Sequence, residues 1–411
     1  MQQRKDARWL HCCPPTDPMS NHVPTNDLSF LENVLPTADI ALPPERSSGK
    51  GLAVGIGIAG VALIALIVAF VFFILPQSSG SLAALQSSAH IAIDKNSLSD
   101  TLPTHWSVTL DVSDHPGATV EPAVVSFDLG MEPTALPYAL QDNMRFTGWY
   151  TEPNGGGTLI ENNTLFQLTP DTNITLYASF EAKPTSLDYD TWGLPILMYH
   201  YFYDPDAGET GEDANWMDIN LLHEQLAWLQ ENNYYYPSWE EVNEYIRGNI
   251  MLPKNSIVLC SDDGFPSYYE LALPLVTQYG AKMTTFVVLH DFDQTKLTMY
   301  DPNHAVIQSH SYDMHRGGTD GDARILTASR AEIIDDVEKG AAILGTRIVY
   351  CLPFGKANAN AKAALDEAGV GVVLAIENER AYPMEDPMFV PRLRMNDGVS
   401  LRYFIQAVSP D

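Results

Sequence analysis

The sequence predicts an α/β protein in which a helix-covered parallel sheet follows a small β-rich module and one long apolar segment. Three observations predict this class. Apolar runs of strand length alternate with helical patterns from Leu194 to the C-terminus, which is typical of a parallel sheet, open or closed into a barrel. Short runs of alternating β-branched and aromatic residues lie between Trp106 and Lys183. The length of 411 residues exceeds that of one average domain, so two folded units are expected.

The N-terminal part contains a candidate membrane anchor. Residues 1–50 are rich in Pro, Asn, Asp and Ser, lack periodicity, and are predicted to be a disordered tail. Residues 51–76 begin GLAVGIGIAGVALIALIVAFVFFIL, and a helix of this length spans about 37 Å, enough for a hydrocarbon core of about 30 Å. A buried globular helix would be unusually apolar on every face, and a cleaved signal peptide would not follow such a tail. We therefore predict one transmembrane helix, followed by a flexible linker over 77–103.

The charge pattern orients this helix. Arg46 and Lys50 lie just before it, whereas the next basic residue is Lys95. The positive-inside bias places the N-terminus in the cytoplasm and everything after about residue 76 outside, as in a single-pass protein of the cell membrane. The net charge of −29 and the pI near 4.5 argue against nucleic acid or an anionic membrane surface as a partner.

The four cysteines do not form a disulfide framework in a chain of this length. Cys12 and Cys13 are adjacent and lack nearby zinc-ligand spacings. Cys260 and Cys351 each lie in an apolar run of strand length, so we expect two buried free thiols rather than a bridge.

Residues 104–183 carry the β-rich pattern. The strand-like runs are WSVTLDV, AVVSFDL, RFTGWYTEPNGGGTLI and NITLYASFEA. The stretch from FTGWYTEPNGGGTLI to LTPDTNITLYASFE resembles the InlB B-repeat family, small β-grasp-like modules of bacterial surface proteins. The resemblance implies a spacer or weak adhesion unit with a cell-surface ligand, on a bacterial surface. A structural stalk without a ligand is the alternative.

The C-terminal part, residues 190–411, alternates strands and helices. Its strand candidates are GLPILMYH, SIVLCSDDG, KMTTFVVL, AVIQSH, IVYCLPF and VGVVLAI, and its helix candidates cover 221–232, 268–279, 331–344 and 359–368. Polar residues cluster where these strands end: His200, Asp262, Asp263, His310 and the Pro353-Phe354 pair. This is the face on which barrel enzymes place their chemistry.

Asp262 and Asp263 indicate a charged site at one strand end. On a continuous strand they would point to opposite faces, so both serve one site only if the backbone turns there, as Gly264 permits. Two adjacent carboxylates repel unless a cation lies beside them. We expect one of them to bind a metal and the other to act as an ionised base. A solvated Asp-Asp-Gly turn is the alternative.

His310 and His315 are five residues apart, a spacing that requires a loop curling around an ion. Ser311 and Asp313 between them are candidates for fixing an imidazole tautomer. One aspartate and two histidines with open positions fit a catalytic Zn²⁺, and Fe²⁺, Co²⁺ or Ni²⁺ would also be accepted. Two structural histidines are the alternative.

Four blocks in this part carry a family resemblance. LPILMYH, IVLCSDDGFPSYYELALPLVTQYGAKMTTFVV, IQSHSYDMH and YCLPFGKANANAKAAL resemble the signature blocks of the NodB-like polysaccharide deacetylases, a carbohydrate esterase family, and most closely its poly-N-acetylglucosamine deacetylase subgroup. The resemblance implies a distorted (β/α)7 barrel. It also implies site roles: general base Asp262, general acid His200, oxyanion donor Phe354 through its backbone N–H, metal ligands Asp263, His310 and His315, and an acetyl pocket lined by Leu352, Pro353, Phe354 and Gly355. Tyr350, Arg392 and Arg394 are the further residues expected to line the substrate pocket.

The sequence departs from this family pattern at several points. No histidine follows His315, Tyr350 stands where the family has an arginine, and no DxxxW block follows. We expect Arg392 or Arg394 to hold Asp262 ionised and oriented instead.

Aromatic residues that could stack on sugar rings are Trp216, Tyr234, Tyr235, Tyr236 and Trp239.

The sequence thus predicts a membrane-anchored, extracytoplasmic, metal-dependent deacetylase. The expected substrate is an N-acetylglucosamine-containing glycan, either peptidoglycan or exopolysaccharide, and the expected product is acetate. One alternative is an O-acetyl esterase acting on wall or plant polysaccharide. The other is a non-catalytic surface adhesin whose barrel has decayed.

Overall fold

The computed structural model describes residues 105–128, 136–160, 173–318 and 322–410. The predicted tail, transmembrane helix and linker (1–50, 51–76 and 77–103) lie outside these ranges, as do Cys12 and Cys13. Within the described ranges, no helix combines the length and the apolar character that a membrane crossing requires.

The N-terminal module is a small β-sheet unit, as its alternating sequence predicts. Its strands are β1 (His105–Asp111), β2 (Thr119–Val120), β3 (Val124–Asp128), β4 (Ala139–Leu140), β5 (Met144–Glu152), β6 (Gly156–Ile160) and β7 (Ile174–Ala182). Five of them form one sheet in the order β3-β1-β7-β5-β6, while β2 and β4 pair separately. The inward residues Val108, Leu176 and Trp149 are buried, because alternate positions of each strand face the core. The likeness to InlB B-repeats stays a prediction.

The C-terminal unit is built from strands and helices in alternation. Its strands are β8 (Ile196–Tyr199), β9 (Tyr201–Tyr203), β10 (Trp216–Asp218), β11 (Val258–Ser261), β12 (Met283–Val287), β13 (Ala305–Ser309), β14 (Val349–Cys351), β15 (Val372–Leu374) and β16 (Leu393–Arg394). Its helices are α1 (Ile219–Glu231), α2 (Trp239–Ile246), α3 (a π-helical turn Tyr268–Ala272 that continues as Leu273–Gln278), α4 (Arg324–Thr327), α5 (Arg330–Leu344), α6 (Ala359–Glu367) and α7 (Leu401–Val408).

Seven strands form one parallel sheet in the order β15-β14-β13-β12-β11-β8-β16, which confirms the predicted α/β class with a parallel sheet. The sheet curls so that its two edges approach a common segment. The backbone of Val390 exchanges hydrogen bonds with Val373 and Ala375 beside β15, and the chain then enters β16 beside β8. All seven strands end at one edge of the sheet, so the polar residues that follow them meet there.

The predicted helices occur within a few residues of their expected bounds, and each has a sequence reason. Helix α1 buries Leu222, Leu226 and Leu229 on one face, at the spacing expected of an amphipathic helix. Helix α5 begins with a capping box, in which Ser329 and Glu332 satisfy each other's backbone N–H groups, and ends at left-handed Gly345. The free, buried state predicted for Cys260 and Cys351 is confirmed.

The β module packs directly on the larger unit. Phe146 of β5 accepts a backbone hydrogen bond from Met251 and donates one to Asn249, so the module extends its backbone pairing into the neighbouring unit. Arg145 contacts Glu181 of the module and, at 2.6 Å, Asp188 of the connecting segment. Backbone pairing and a mostly buried ion pair together fix the orientation of this junction.

Two of the five aromatic residues that could stack on sugars lie in the core instead. Trp239 is 5% exposed, and its indole N–H donates to Thr284 at 3.0 Å. Tyr234 is buried, and its hydroxyl donates to the carbonyl of Val408. Trp239 packs on Phe286 of β12 and Tyr234 lies against α7, where their apolar surface is more stable than it would be when exposed at a cleft. Trp216 is half-buried and packs on Tyr201 and Phe265, next to the polar ends of the strands.

Candidate metal centre

The backbone turns sharply where β11 ends, as the Asp-Asp-Gly sequence predicts. Asp263 and Gly264 both have left-handed conformations, with φ of 70° and 62°. A Cβ atom on Gly264 would lie 2.6 Å from the side chain of Val287, so only glycine fits there. Because the backbone leaves the extended conformation at Asp263, the carboxylates of Asp262 and Asp263 both lie at the same edge of the sheet.

Asp263, His310 and His315 converge on one point. Oδ1 of Asp263 lies 3.4 Å from Nε2 of His310 and 3.3 Å from Nε2 of His315, and the two imidazole rings are 4.6 Å apart. Donors bonded at about 2.0–2.1 Å to a tetrahedral Zn²⁺ are themselves separated by about 3.3–3.4 Å. The spacing and chemistry of these three donors therefore fit a divalent metal.

The imidazoles of His310 and His315 have different surroundings, which fix where each carries its proton. The Nδ1 of His310 lies 3.0 Å from the carbonyl oxygen of Cys351, so Nδ1 carries the proton and Nε2 faces Asp263. Burial and the neighbouring His310 lower the pKa of His315 to about 4, so this imidazole is neutral at neutral pH. A neutral imidazole is the form that binds a metal.

The loop between the histidines is fixed by a carboxylate on α5. The two oxygens of Asp336 accept the backbone N–H groups of Tyr312 and Asp313 at 2.9 and 2.7 Å. The expectation that Ser311 and Asp313 fix an imidazole is wrong for His310. Ser311 is left-handed and accepts from Met314 N–H, while Asp313 pairs with Arg316 at the surface. The backbone carbonyl of Cys351 takes that role instead.

Arg392 holds Asp262. Its Nη1 and Nη2 donate to Oδ1 and Oδ2 of Asp262 at 2.9 and 2.8 Å, and its Nε donates to the carbonyl of Ala375. Both side chains are buried. Of the two arginines that the sequence offered, Arg394 does not contact Asp262; its guanidinium bonds Asn215 instead. Residues two apart on an extended strand share a face, so the two arginines differ in their position along the chain: Arg392 precedes β16, and Arg394 lies within it.

The guanidinium decides the charge of Asp262. Burial raises the pKa of this carboxyl, but the bidentate Arg392 outweighs burial and holds the pKa below its ordinary value. A carboxylate has about four lone-pair positions, and Arg392 takes one on each oxygen. Asp262 therefore remains ionised and keeps the capacity to accept a further proton.

A second trio of metal-ligand types, Asp262, His310 and Cys351, also lies close together. It is the weaker candidate. Arg392 already occupies the carboxylate of Asp262, and burial raises the pKa of the Cys351 thiol, whereas metal binding requires the thiolate.

His200 lies beside the carboxylates at the end of β8. Its Nε2 is 4.0 Å from Oδ2 of Asp262, and its side chain is 18% exposed. Burial lowers the pKa of His200, and the effect exceeds the opposing pull of Asp262 and Asp263. The imidazole is thus partly open to solvent at the polar face.

The acetyl-pocket block lies on the opposite side of the histidines. Phe354 has a left-handed backbone with φ of 59°, and its ring packs on His315 at 4.5 Å. No described residue accepts a hydrogen bond from the backbone N–H of Phe354. Pro353 is buried beside it.

Two residues predicted to line this pocket lie in the core instead. Tyr350 and Leu352 are 2% and 1% exposed and pack in a cluster with Ile333 and Val337. Tyr350 alternates with Cys351 along β14, so when Cys351 faces Asp262 the tyrosine faces the helix layer.

Tyr201 is a site residue that the sequence interpretation missed. Its hydroxyl donates to Oδ2 of Asp263, the oxygen that does not face the histidines. Burial, followed by the charge of Asp263, raises the pKa of Tyr201, so the hydroxyl keeps its proton. The signal was present in the sequence, since Tyr201 directly follows His200 at the end of an apolar run.

Comparison with known proteins points to one family. Residues 250–373 match the family model described as polysaccharide deacetylase. A poly-β-1,6-N-acetyl-D-glucosamine N-deacetylase of Staphylococcus aureus is 23% identical over 190 residues, which cover 42% of this chain and 65% of that protein. The Escherichia coli protein of the same name is 24% identical over 264 residues, covering 53% of this chain and 38% of its own length.

Two solved structures of deacetylases also match part of the chain. A Streptococcus pyogenes deacetylase in complex with acetate is 19% identical, with a TM-score of 0.46, and the match covers 53% of this chain and 99% of that one. A Bacillus cereus polysaccharide deacetylase is 14% identical, with a TM-score of 0.45, and the match covers 70% of this chain and 82% of that one.

The residues matched by the family description include Asp262, Asp263, His310 and His315. The matched curated proteins are distant relatives, and the matched region spans less than two thirds of their length. Residues 250–373 therefore carry a NodB-like polysaccharide deacetylase domain of a hydrolase family, with a candidate metal site made by one aspartate and two histidines.

Proposed function

We propose that this protein is a metal-dependent N-deacetylase that releases acetate from an N-acetylglucosamine-containing glycan, either peptidoglycan or exopolysaccharide. One observation carries the proposal: three donors spaced for a single cation lie next to a second carboxylate that is kept ionised by a buried arginine. The curated relatives, which are named as poly-β-1,6-N-acetyl-D-glucosamine N-deacetylases, support the substrate class.

Asp263, His310 and His315 would hold the metal, and Zn²⁺ is the proposed ion because imidazole and carboxylate suit it, as they also suit Fe²⁺, Co²⁺ or Ni²⁺. When bound, such an ion polarises an acyl carbonyl and lowers the pKa of water toward about 7. Tyr201 donates to the oxygen of Asp263 that faces away from the histidines, which orients the other oxygen toward the site.

Three groups of the chain act as the general base, the oxyanion donor and the general acid. Asp262 takes the proton of the attacking water as general base, because Arg392 keeps it ionised and fixed in direction. The unpaired backbone N–H of Phe354 stabilises the oxyanion that forms on the acyl carbon. His200 donates a proton to the departing amine; partial burial lowers the pKa of this imidazole, which makes its protonated form a stronger acid.

Arg392 also bears on the two alternatives. In this chain Tyr350 stands where the resembled family has an arginine, and Arg392 supplies the guanidinium that keeps Asp262 ionised. A non-catalytic adhesin would have no need to keep this buried carboxylate ionised. An O-acetyl esterase would use the same residues on a different bond. The need for an acid at His200 separates these two hydrolytic reactions, because an alcohol leaves with less assistance than an amine.

We further propose that residues 51–76 anchor the enzyme in the membrane, with the N-terminus in the cytoplasm and the catalytic unit outside a bacterial cell. The uncharged apolar run and the basic residues before it support this proposal. A surface location would give the active site access to extracellular glycans. The β module would then hold the catalytic unit away from the membrane or bind a surface ligand.

The two adjacent aspartates are expected to separate catalysis from metal binding. Wild-type protein should release acetate from N-acetylglucosamine polymers, and chelation should abolish the release. Asp262→Asn should retain the metal but lose about 10²–10⁴-fold in kcat, because a general base contributes that much. Asp263→Ala should lose both metal and turnover. Metal content by mass spectrometry and acetate release measure the two effects, and an active Asp262→Asn enzyme would show that another residue is the base.

Removing the arginine should shift the pH dependence. Arg392 lowers the pKa of Asp262 against the effect of burial, so in Arg392→Met burial dominates and the pKa rises. Because the ionised carboxylate is the active form, the acidic limb of the kcat/KM profile should move to higher pH. Arg392→Lys, which keeps the charge but not the fork, should shift it less.

Arg347→Met provides the matched control for this experiment. Arg347 pairs with Glu338 and the carbonyl of Ala368, away from Asp262, so its removal should leave the acidic limb in place. Circular dichroism would verify that each variant is folded. An unmoved acidic limb in folded Arg392→Met would contradict the assignment of that limb to Asp262.

The role of His200 is expected to depend on the leaving group. His200→Ala should slow hydrolysis of acetamides by about 10²–10⁴-fold and affect activated acetate esters much less, since a good leaving group departs without a proton. Steady-state kcat/KM values on both substrate types measure this selectivity. Equal losses on both would assign His200 to structure or binding rather than to proton donation.

The membrane proposal predicts fractionation with the membrane. The full chain should resist extraction by high salt, dissolve in detergent, and become soluble after deletion of residues 51–76. Protease added to intact cells should digest the C-terminal unit but not the first fifty residues. Release of the full chain by salt alone would rule out a spanning helix.

A further inference from the structure

The thiol of Cys351 contacts the proposed general base. Its Sγ lies 3.4 Å from Oδ2 of Asp262, and both side chains are buried. Burial raises the pKa of this thiol, so Cys351 keeps its proton and is the donor to the ionised carboxylate. The two residues are 89 positions apart and come from β14 and the end of β11. The mechanism described above assigns no role to this contact.

Cys351 lies between the base and the metal-ligand candidates. Its backbone carbonyl accepts a hydrogen bond from Nδ1 of His310 at 3.0 Å, while its side chain faces Asp262. Ligand-type atoms of Asp262, His310 and Cys351 all lie within 4.8 Å of one another. One residue of β14 therefore contacts both the carboxylate that takes the proton and an imidazole that would hold the metal. Because the carbonyl belongs to the backbone, a substitution at this position removes only the contact to Asp262.

The guanidinium of Arg392 does not by itself distinguish the two oxygens of Asp262. Its Nη1 donates to Oδ1 at 2.9 Å and its Nη2 to Oδ2 at 2.8 Å, nearly the same distance. A carboxylate has about two lone-pair positions on each oxygen, so the guanidinium leaves one position open on each. The hydrogen bonds of Arg392 therefore fix the plane of the carboxylate but not the oxygen that receives a proton.

The thiol of Cys351 makes the two oxygens different. Oδ2 accepts from both Nη2 of Arg392 and the thiol, whereas Oδ1 accepts from Nη1 alone. Nε2 of His200 is 4.0 Å from Oδ2, beyond hydrogen-bond distance. Among the described residues, no other group donates to this carboxylate. The open lone-pair position of Asp262 is consequently on Oδ1.

We propose that Cys351 is a positioning residue that directs proton transfer to Oδ1 of Asp262 by occupying the second position on Oδ2. This role rests on the proposed function and specifies the atom of the general base that acts. An O–H bond of the attacking water breaks, and its proton forms a new O–H bond with Oδ1. The water oxygen keeps the electron pair of the broken bond and uses it to attack the acetyl carbonyl carbon.

Substitutions of Cys351 test this role in turnover. In Cys351→Ala, Oδ2 regains an open position, and kcat for acetate release should fall about tenfold, the scale of one hydrogen bond to a charged group. KM should stay unchanged, because the fully buried Cys351 acts only through Asp262. Cys351→Ser, which keeps a donor, should retain most of kcat. Metal content should be the same in both variants, because the carbonyl that fixes His310 remains.

Val349→Ala is the matched control for packing. Val349 lies two residues earlier on the same face of β14 and in the same core cluster, but it does not contact Asp262. Its truncation should leave kcat unchanged, and circular dichroism would verify that each variant is folded. An unchanged kcat in folded Cys351→Ala, or an equal loss in Val349→Ala, would overturn the proposal.

Infrared spectroscopy of the metal-loaded protein provides a readout without turnover. The S–H stretching band lies apart from other protein bands and moves to lower frequency when the thiol donates a hydrogen bond. The band that disappears in Cys351→Ala belongs to this thiol, and in Asp262→Asn it should move to higher frequency, because the charged acceptor is lost. A Cys351 band that Asp262→Asn leaves in place would also overturn the proposal. The expected shift in a protein whose wild-type form releases no acetate would instead contradict the proposed deacetylation and leave the contact supported.

Discussion

The buried ion pair between Arg392 and Asp262 is the interaction on which the site depends. The two residues are 130 positions apart, and the guanidinium also bonds the carbonyl that follows β15. One side chain thus links both edges of the curled sheet to the strand that carries the carboxylate pair. Removing one partner of such a pair leaves a buried charge uncompensated and costs about 3–5 kcal/mol. The same contact therefore orients the base, maintains its charge and stabilises the closure of the sheet.

The sequence alone predicted the parallel sheet and the helices that pack on it. Fully apolar runs predicted the buried parallel strands, because a parallel sheet that is buried on both faces shows no alternation of apolar and polar residues. Helical spacing located α1, α5 and α6 within a few residues, since each buries one apolar stripe. The Asp-Asp-Gly turn and the five-residue histidine spacing also predicted that one of the two aspartates would meet His310 and His315, because no regular element accommodates either pattern, and the family resemblance assigned that role to Asp263.

The remaining features depend on contacts that no local pattern encodes. Strand alternation could not decide between Arg392 and Arg394, because residues two apart share a face and β16 is only two residues long. Tyr350 occupies a family arginine position but points to the helix layer. The partners that orient the ligands (Tyr201, Asp336 and the carbonyl of Cys351) act across distances of 23 to 62 residues in sequence. The role of an aromatic residue cannot be predicted from its type, because the same rings pack in the core and stack on sugars.

Three non-glycine residues of the site, Asp263, Ser311 and Phe354, have left-handed backbones, and two of them are followed by left-handed glycines. Each such residue costs of order 1–3 kcal/mol of strain, which the surrounding structure must overcome. All three lie in the loops that follow strands at the polar edge and none lies within the seven-stranded sheet, so this strain is a cost of the site and not of the sheet that carries it.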